Sequence, residues 1–201
     1  MKNTREHILN IAFDLFLQKS FKEVTMKDIV EKSGMSKGAF YHYFTSKEQL
    51  FLELVNHVFS SVLDIPFEQF NQRSLYHFYV DYVNFYVENL KKQNKDQEGA
   101  APGFNYISLI FDAIKLFPDF QEKLLLSRQM QQKAWLDIIR QARDQGEIAS
   151  PMSDEQIAGM FMSSSGGVEM YSIYDGSSKE MSMKLMDLWD GFYKGLKSDI
   201  K

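Results

Sequence analysis

Apolar residues recur at spacings of three and four along nearly the whole chain, and no stretch alternates apolar and polar with a period of two. Helices show the first pattern and half-buried strands the second. In the opening segment Ile8, Leu9, Ala12, Phe13, Leu15 and Phe16 share one helical face. The pattern confines the 201-residue chain to an all-α fold. No run of 18 apolar residues interrupts it, so the reading includes no membrane-spanning helix.

Capping signals divide the chain into about nine helices. Asn3 with Glu6 has capping-box spacing at the start of the first, which ends near Lys19. Thr25 with Asp28 opens a second, short helix that stops at Ser33–Gly34. Ser36 caps a third only two residues later, running to about Tyr43. A fourth starts at Thr45 or Ser46, with Glu48 or Gln49 as the respective partner, and continues to about Leu63. After Pro66, an aromatic helix is expected over 71–93. Residues 94–103 (NKDQEGAAPG) read as an exposed loop. Further helices are expected at 105–117, 118–145, 153–174 and 178–198. Ser153–Gln156 and Ser177–Glu180 again have capping-box spacing.

Charge is unevenly spread. Residues 1–50 carry eight Lys/Arg against six Asp/Glu, while residues 51–201 carry fifteen against twenty-one. A mildly basic head on an acidic chain is compatible with nucleic acid, since only the contacting face must be positive. The charged amphipathic N-terminus and the lack of cysteine point to a cytoplasmic protein without disulfides or thiolate chemistry.

The second and third helices, joined by the tight turn Lys32-Ser33-Gly34-Met35, form a helix-turn-helix candidate. In such a unit the second helix enters the major groove, its first residues toward base edges. Here these are Ser36, Lys37, Gly38 and Ala39. Phe40 and Phe44, four apart, are expected to bury against the preceding helix. Tyr41, His42 and Tyr43 offer polar-tipped rings to sugar and phosphate. Lys47 lies in the first turn of the fourth helix, where a cation opposes the helix dipole. That placement makes sense if a phosphate docks there. Thr25 occupies the same kind of position on the second helix.

The segment TMKDIVEKSGMSKGAFYHYFTSKEQLF, Thr25 to Phe51, resembles the DNA-binding signature of the TetR family of bacterial repressors. The shared features are the helix-opening Thr25, Ile29, Gly34, the Ser36-x-Gly38 pair, Tyr41, Phe44, Lys47 and Leu50. Val30, Ser33 and Met35 depart from the family's usual residues at packing positions. Tyr43 stands where the family often has His, and His42 comes one residue earlier; the ring that meets phosphate is one of the two.

The resemblance implies a homodimer whose recognition helices enter successive major grooves of a palindromic operator, released by a small-molecule effector. It divides the chain into a DNA-binding domain, 1–47, and an effector-binding and dimerisation domain, 48–201. It assigns Thr25, Ser36, Lys37, Gly38, Ala39, Tyr41, His42, Tyr43 and Lys47 to DNA, and the helices at 153–174 and 178–198 to the dimer interface. The C-terminal part is rich in Met and aromatics, which suits a hydrophobic or aromatic effector. The candidate pocket residues are Tyr82, Tyr86, Tyr106, Phe111, Trp135, Met162 and Glu169.

No catalysis, cofactor or metal is expected. The histidines are scattered, and Ser163-Ser164-Ser165 lacks the strand and the His–acid partners a nucleophile needs. The small residues 163–167 read as a place of close helix approach. The rival readings are a helical-bundle enzyme or carrier, and an adaptor whose basic head meets an acidic protein.

Overall fold

The computed structural model describes residues 2–59, 63–94, 104–175 and 180–197. Among them it holds nine α-helices and one 3-10 turn, and no strand. The helices are α1 (Lys2–Gln18), α2 (Met26–Ser33), α3 (Lys37–Tyr41), α4 (Lys47–Val58), α5 (Leu75–Asn94), α6 (Phe104–Leu116), α7 (Pro118–Asp144), α8 (Asp154–Asp175) and α9 (Met181–Leu196). The turn spans Phe67–Gln69. No helix of the described residues is long and apolar enough to cross a membrane.

Most boundaries follow from side chains that satisfy free helix-end groups. Thr25 and Asp28 form a complete capping box on α2. Gly34 ends that helix at φ 66°, a left-handed conformation that any Cβ would strain. Ser46, not Thr45, caps α4: its hydroxyl accepts from Gln49 N, while Gln49 Oε1 reaches back to the Thr45 amide and hydroxyl. Ser153 and Gln156 cap α8 reciprocally. Pro118 starts α7, where a missing N–H costs nothing. The helix α1 begins at Lys2, before the expected cap Asn3. The expected pair Ser177–Glu180 involves a residue outside the described ones.

The chain forms two compact units. The first comprises Met1–Leu63 with Pro102–Leu124. Its core joins Ile8, Ala12 and Phe16 of α1 to Ile29, Phe40 and Phe44, to Leu50, Phe51, Leu54 and Val55 of α4, and to Leu109 and Ala113 of α6. The buried face of α4 completes this core. Phe51 lies edge-on to both Phe16 and Phe21, with centroids 4.8 Å apart in each pair. Asp112 of α6 accepts from Phe21 N at 3.2 Å and so holds the loop after α1.

The second unit comprises Asp64–Ala101 with Leu125–Lys201. Its core is a block of rings: Phe78, Tyr79 and Tyr82 of α5, Trp135 of α7, Phe161 of α8 and Trp189 of α9. Trp135 and Phe161 stack at 4.6 Å, with Trp189 edge-on to both. Arg143 donates to Asp154 Oδ1 (3.0 Å) and to the carbonyls of Ser150 and Met152, bracing the α7–α8 connection.

Glu147 ties three parts of this unit together. Its carboxylate accepts from Leu75 N (3.0 Å) and Tyr76 N (3.2 Å), capping α5 from 72 residues away in sequence, and from Tyr193 Oη of α9 (2.7 Å). Burial first, then the carboxylate, raises the Tyr193 hydroxyl well above its ordinary range. Replacing Glu147 by Ala strands two helix N-terminal amides and a buried hydroxyl. Glu147→Ala is expected to lose about 2–3 kcal/mol of stability in urea denaturation, and Glu147→Gln less.

Candidate nucleic-acid interface

The two helices α2 and α3 are joined by Gly34, Met35 and Ser36. The left-handed Gly34 turns the chain, and the Ser36 hydroxyl then accepts from Ala39 N at 3.3 Å. Ser33 helps close the turn: its hydroxyl donates to Val30 O at 2.8 Å and accepts from Met35 N at 3.3 Å. A helix of five residues has little stability of its own. What fixes α3 is Phe40 and Phe44, both 0% exposed in the core of the first unit. Burial of each ring is worth about 1.5–3 kcal/mol.

With that edge buried, the opposite side of α3 stands in solvent. Ser36, Lys37, Gly38, Ala39, Tyr41 and His42 are all exposed. Lys37 Nζ lies 5.9 Å from the Tyr41 ring, and the His42 and Tyr43 rings meet edge-on at 5.6 Å. Of the two rings left open by sequence, His42 is exposed, while Tyr43 is half-buried against the core. Gly38 lies in open space: a Cβ there would meet nothing within 4 Å. Nothing in its own fold calls for glycine, although glycine in a helix costs about 1 kcal/mol against Ala.

Two residues expected to hold phosphate have partners within the protein. Lys47 Nζ donates to Phe21 O at 2.7 Å and Val24 O at 2.8 Å, and lies 4.3 Å from the Phe21 ring centre. The ammonium thus closes the loop between α1 and α2, which explains a lysine at a helix start in the free protein. The Thr25 hydroxyl is shared between Asp28 Oδ2 (2.7 Å) and Asp28 N (3.1 Å). The Thr25 hydroxyl and the Thr25 amide (2.9 Å) both donate to Asp28 Oδ2 and hold the exposed Asp28 carboxyl below its ordinary range.

The support beneath α3 includes a pair the sequence reading missed. Arg5 of α1 makes a two-pronged ion pair with Glu53 of α4, and its guanidinium lies 4.7 Å from the Phe44 ring centre. The pairing raises the Arg5 pKa. No local spacing signals a pair 48 residues apart.

The residues expected around an effector are only partly gathered. Tyr82, Tyr86, Trp135, Met162 and Glu169 all belong to the second unit. Tyr82 contacts Tyr86 and Trp135, with centroids 6.2 and 5.7 Å apart, and Tyr86 is near enough to Glu169 to lower its carboxyl against the rise that burial causes. Phe111 belongs to the first unit and is 57% exposed, because α6 turns its Leu109 and Ala113 face inward instead. The side chain of Tyr106 lies outside the described residues. The serines 164 and 165 are occupied in helix and core: Ser164 Oγ donates to Met160 O and accepts from Trp189 Nε1 (2.8 Å), and Ser165 Oγ donates to Met162 O. Among the described residues no group of three His, Cys, Asp or Glu side chains comes close enough to hold a metal.

Comparison with known proteins gives this geometry a context. Residues 8–54 match the family model described as bacterial regulatory proteins, tetR family. The chain is 35% identical over 80 residues to the HTH-type transcriptional regulator YuxN of Bacillus subtilis (strain 168), a stretch covering 38% of this chain and 28% of that one. The chain therefore matches well under half of that relative's length. Among solved structures, NalD, the secondary repressor of the MexAB-OprM multidrug efflux pump in Pseudomonas aeruginosa, superposes with a TM-score of 0.66 at 20% identity over 98% of each chain. The flavonoid-responsive regulator FrrA superposes with a TM-score of 0.57 at 19% identity, covering 99% of this chain and 100% of that one. The sequence match to the tetR family model thus covers residues 8–54, centred on the α2–α3 unit, and the likeness to solved structures shows a shared fold along nearly the whole chain.

Proposed function

We propose that the protein is a ligand-responsive transcriptional repressor. It would bind a palindromic operator as a homodimer through residues 1–47 and sense a hydrophobic small molecule through the second unit. The observation that carries the DNA reading is the division of α3 into a buried edge, Phe40 and Phe44, and an exposed edge of small or polar residues. Exposed Phe or Leu there would suit a protein partner; Ser36, Lys37, Gly38 and Ala39 suit the floor of a groove. Lys37 supplies a donor for guanine edges, and Ala39 a methyl contact for thymine. Tyr41, His42 and Tyr43 would reach sugar and phosphate. Thr25 and Lys47 would join them at the backbone by sharing or exchanging their present bonds.

The dimer reading has its own support. Met160, Met170 and Tyr171 of α8, and Met183 and Leu188 of α9, are exposed apolar side chains. The same two helices carry Gly159, Gly166, Gly191 and Gly195, where a Cβ would meet nothing within 4 Å. Of the small residues 163–167 expected to let two helices approach, Gly166 and Gly167 have open space where a Cβ would stand, while Ser164 and Ser165 are bonded within the chain. Helices of a second copy would meet a surface where backbones can come close. The names of two similar proteins, one a repressor and one flavonoid-responsive, accord with repression and effector release.

Three measurements test this reading. Fluorescence anisotropy against the intergenic DNA beside the gene, at one stated near-physiological salt, is expected to show binding about 10³-fold or more tighter than to scrambled DNA. Saturation is expected at two subunits, or a multiple, per site. Equal, weak binding to that DNA and to every fragment of a genome-wide selection would refute an operator reader.

Gly38→Ala separates fold from function. It should raise stability by about 0.5–1 kcal/mol, since the Cβ enters open space, and weaken operator binding, since that space is where DNA backs against the helix. Unchanged affinity would remove Gly38 from the interface. Lys47→Met should cost about 1–2 kcal/mol of stability through the two lost carbonyl contacts. If Lys47 also meets phosphate, the salt slope of DNA binding should flatten by roughly one unit. A lowered melting temperature with an unchanged slope would leave it only the loop-closing role.

A further inference from the structure

Three helices of the second unit each direct a pair of residues, four apart, into one cluster: Tyr82 and Tyr86 from α5, Gln131 and Trp135 from α7, Ser165 and Glu169 from α8. Side chains four apart share a helix face, so the cluster is a strip shared by three helices. Its polar atoms form a line. Tyr86 is the neighbour that lowers the Glu169 carboxyl. Tyr82 Oη accepts from Gln131 Nε2 at 3.1 Å, and Ser165 Oγ donates to Met162 O at 2.9 Å. The Tyr82 ring lies against both Tyr86 and Trp135.

The strip grades from half-open to closed. Glu169, Tyr86, Ser165 and Gln131 are half-buried, while Tyr82 is buried and Trp135 is 0% exposed. Two members carry unmet polar demand. The Trp135 indole N–H is fully buried and, among the described residues, has no acceptor. An orphaned buried donor is costly in a core otherwise well paired. Glu169 is half-buried and, among the described residues, has no ion pair. Burial pushes its carboxyl above the usual carboxylate range, offset in part by Tyr86. Burial likewise pushes the Tyr82 hydroxyl up to about 12.

A ligand that satisfied both ends would have a definite chemistry. The carboxylate and the faces of Tyr86 and Tyr82 call for a cation or strong N–H donor. The indole N–H, deeper in, calls for an acceptor. Between them lie rings. We infer that the Tyr82–Tyr86–Trp135–Glu169 strip binds an aromatic amine: protonated nitrogen at Glu169, aromatic body along the tyrosines, and a carbonyl or ether oxygen toward Trp135. This deepens the effector reading proposed above and rests on it for its regulatory meaning, though not for the binding itself.

The test is equilibrium dialysis of the full-length protein, without DNA, against four probes of nearly one shape. They are 4-(aminomethyl)benzophenone, the neutral 4-methylbenzophenone, the anionic 4-benzoylbenzoate, and 4-benzylbenzylamine, which lacks the carbonyl. The aminomethyl ketone is expected to bind at least about tenfold tighter than each of the others, the size typical of one hydrogen bond to a charged group. Glu169→Gln should erase its advantage over the neutral ketone and leave the latter's affinity unchanged.

This variant is expected to fold. A carboxyl raised in the folded state gives up stability as pH rises through its unfolded and then its folded value. The neutral amide should therefore melt no lower than the parent at pH 7 and match it near pH 4. The ranking among the four probes in the unmodified protein tests the charge class independently of any variant. Equal affinities, a preference for the anion, a preference untouched by Glu169→Gln, or no binding at all would each overturn the assignment. Selective binding of the amine that left operator affinity unchanged would uphold the ligand site and refute the sensing role instead.

Discussion

The presentation of the interface depends on burying two phenylalanines. The helix α3 has five residues, fewer than two turns, so almost none of its stability is its own. Phe40 and Phe44 dock it into a core that also takes Ile29 of α2 and Leu50 and Phe51 of α4. Everything exposed on α3 is placed by that docking. The supports around it are polar but serve the same end: Gly34 sets the turn, Ser36 starts the helix, and Arg5 bridges to Glu53 over the outer face of Phe44. A short exposed helix keeps a defined geometry only if the scaffold beneath it is rigid.

The two units use polar groups in opposite ways. In the first, several hydroxyls sit at helix ends and answer free amides: Thr25 with Asp28, Ser36 with Ala39, Ser46 with Gln49. The core proper is hydrocarbon and phenyl. In the second, polar atoms enter the core on Tyr, Trp and Glu side chains, with Tyr79 Oη held by Asp190 at 2.6 Å and Tyr193 by Glu147. An aromatic core with polar tips fills space as a phenyl core does, but it must match each hydroxyl and N–H with a partner. Where the match is complete, as at Glu147, the result is a brace. Where it is incomplete, as at Trp135, a ligand has something to add.

Much of this was legible from sequence, for a local reason. Helix starts and stops are set by residues within four positions of one another. Thr25–Asp28, Gly34, Ser36 and Ser153–Gln156 therefore announced themselves, as did the burial of Phe40 and Phe44. The choice between Thr45 and Ser46 was not local: either spacing closes a box, and the resolution uses Gln49 on both residues at once. Partners distant in sequence left no trace. Lys47 reads as a misplaced cation until the carbonyls of Phe21 and Val24 are brought to it. Phe111 reads as a pocket wall, but periodicity cannot say which of two apolar faces on a short helix turns inward, and α6 buries the other one.

The extent of the family match has the same physical root. The model stops at residue 54, whereas the fold resembles solved structures over nearly the whole chain at about 20% identity. The α2–α3 unit is held by requirements that admit few residues: a left-handed turn, two caps within a dozen positions, two rings that fit one core, and a surface that must suit whatever it meets. Helix packing in the second unit asks only for apolar volume at the right period, which many combinations of Met, Leu, Phe, Tyr and Trp supply. Such a core is free to exchange one ring for another, or an apolar atom for a polar one, without losing its architecture. A strip such as Tyr82, Tyr86, Trp135 and Glu169 can therefore arise within a shared fold, and its chemistry has to be read from this chain's own residues.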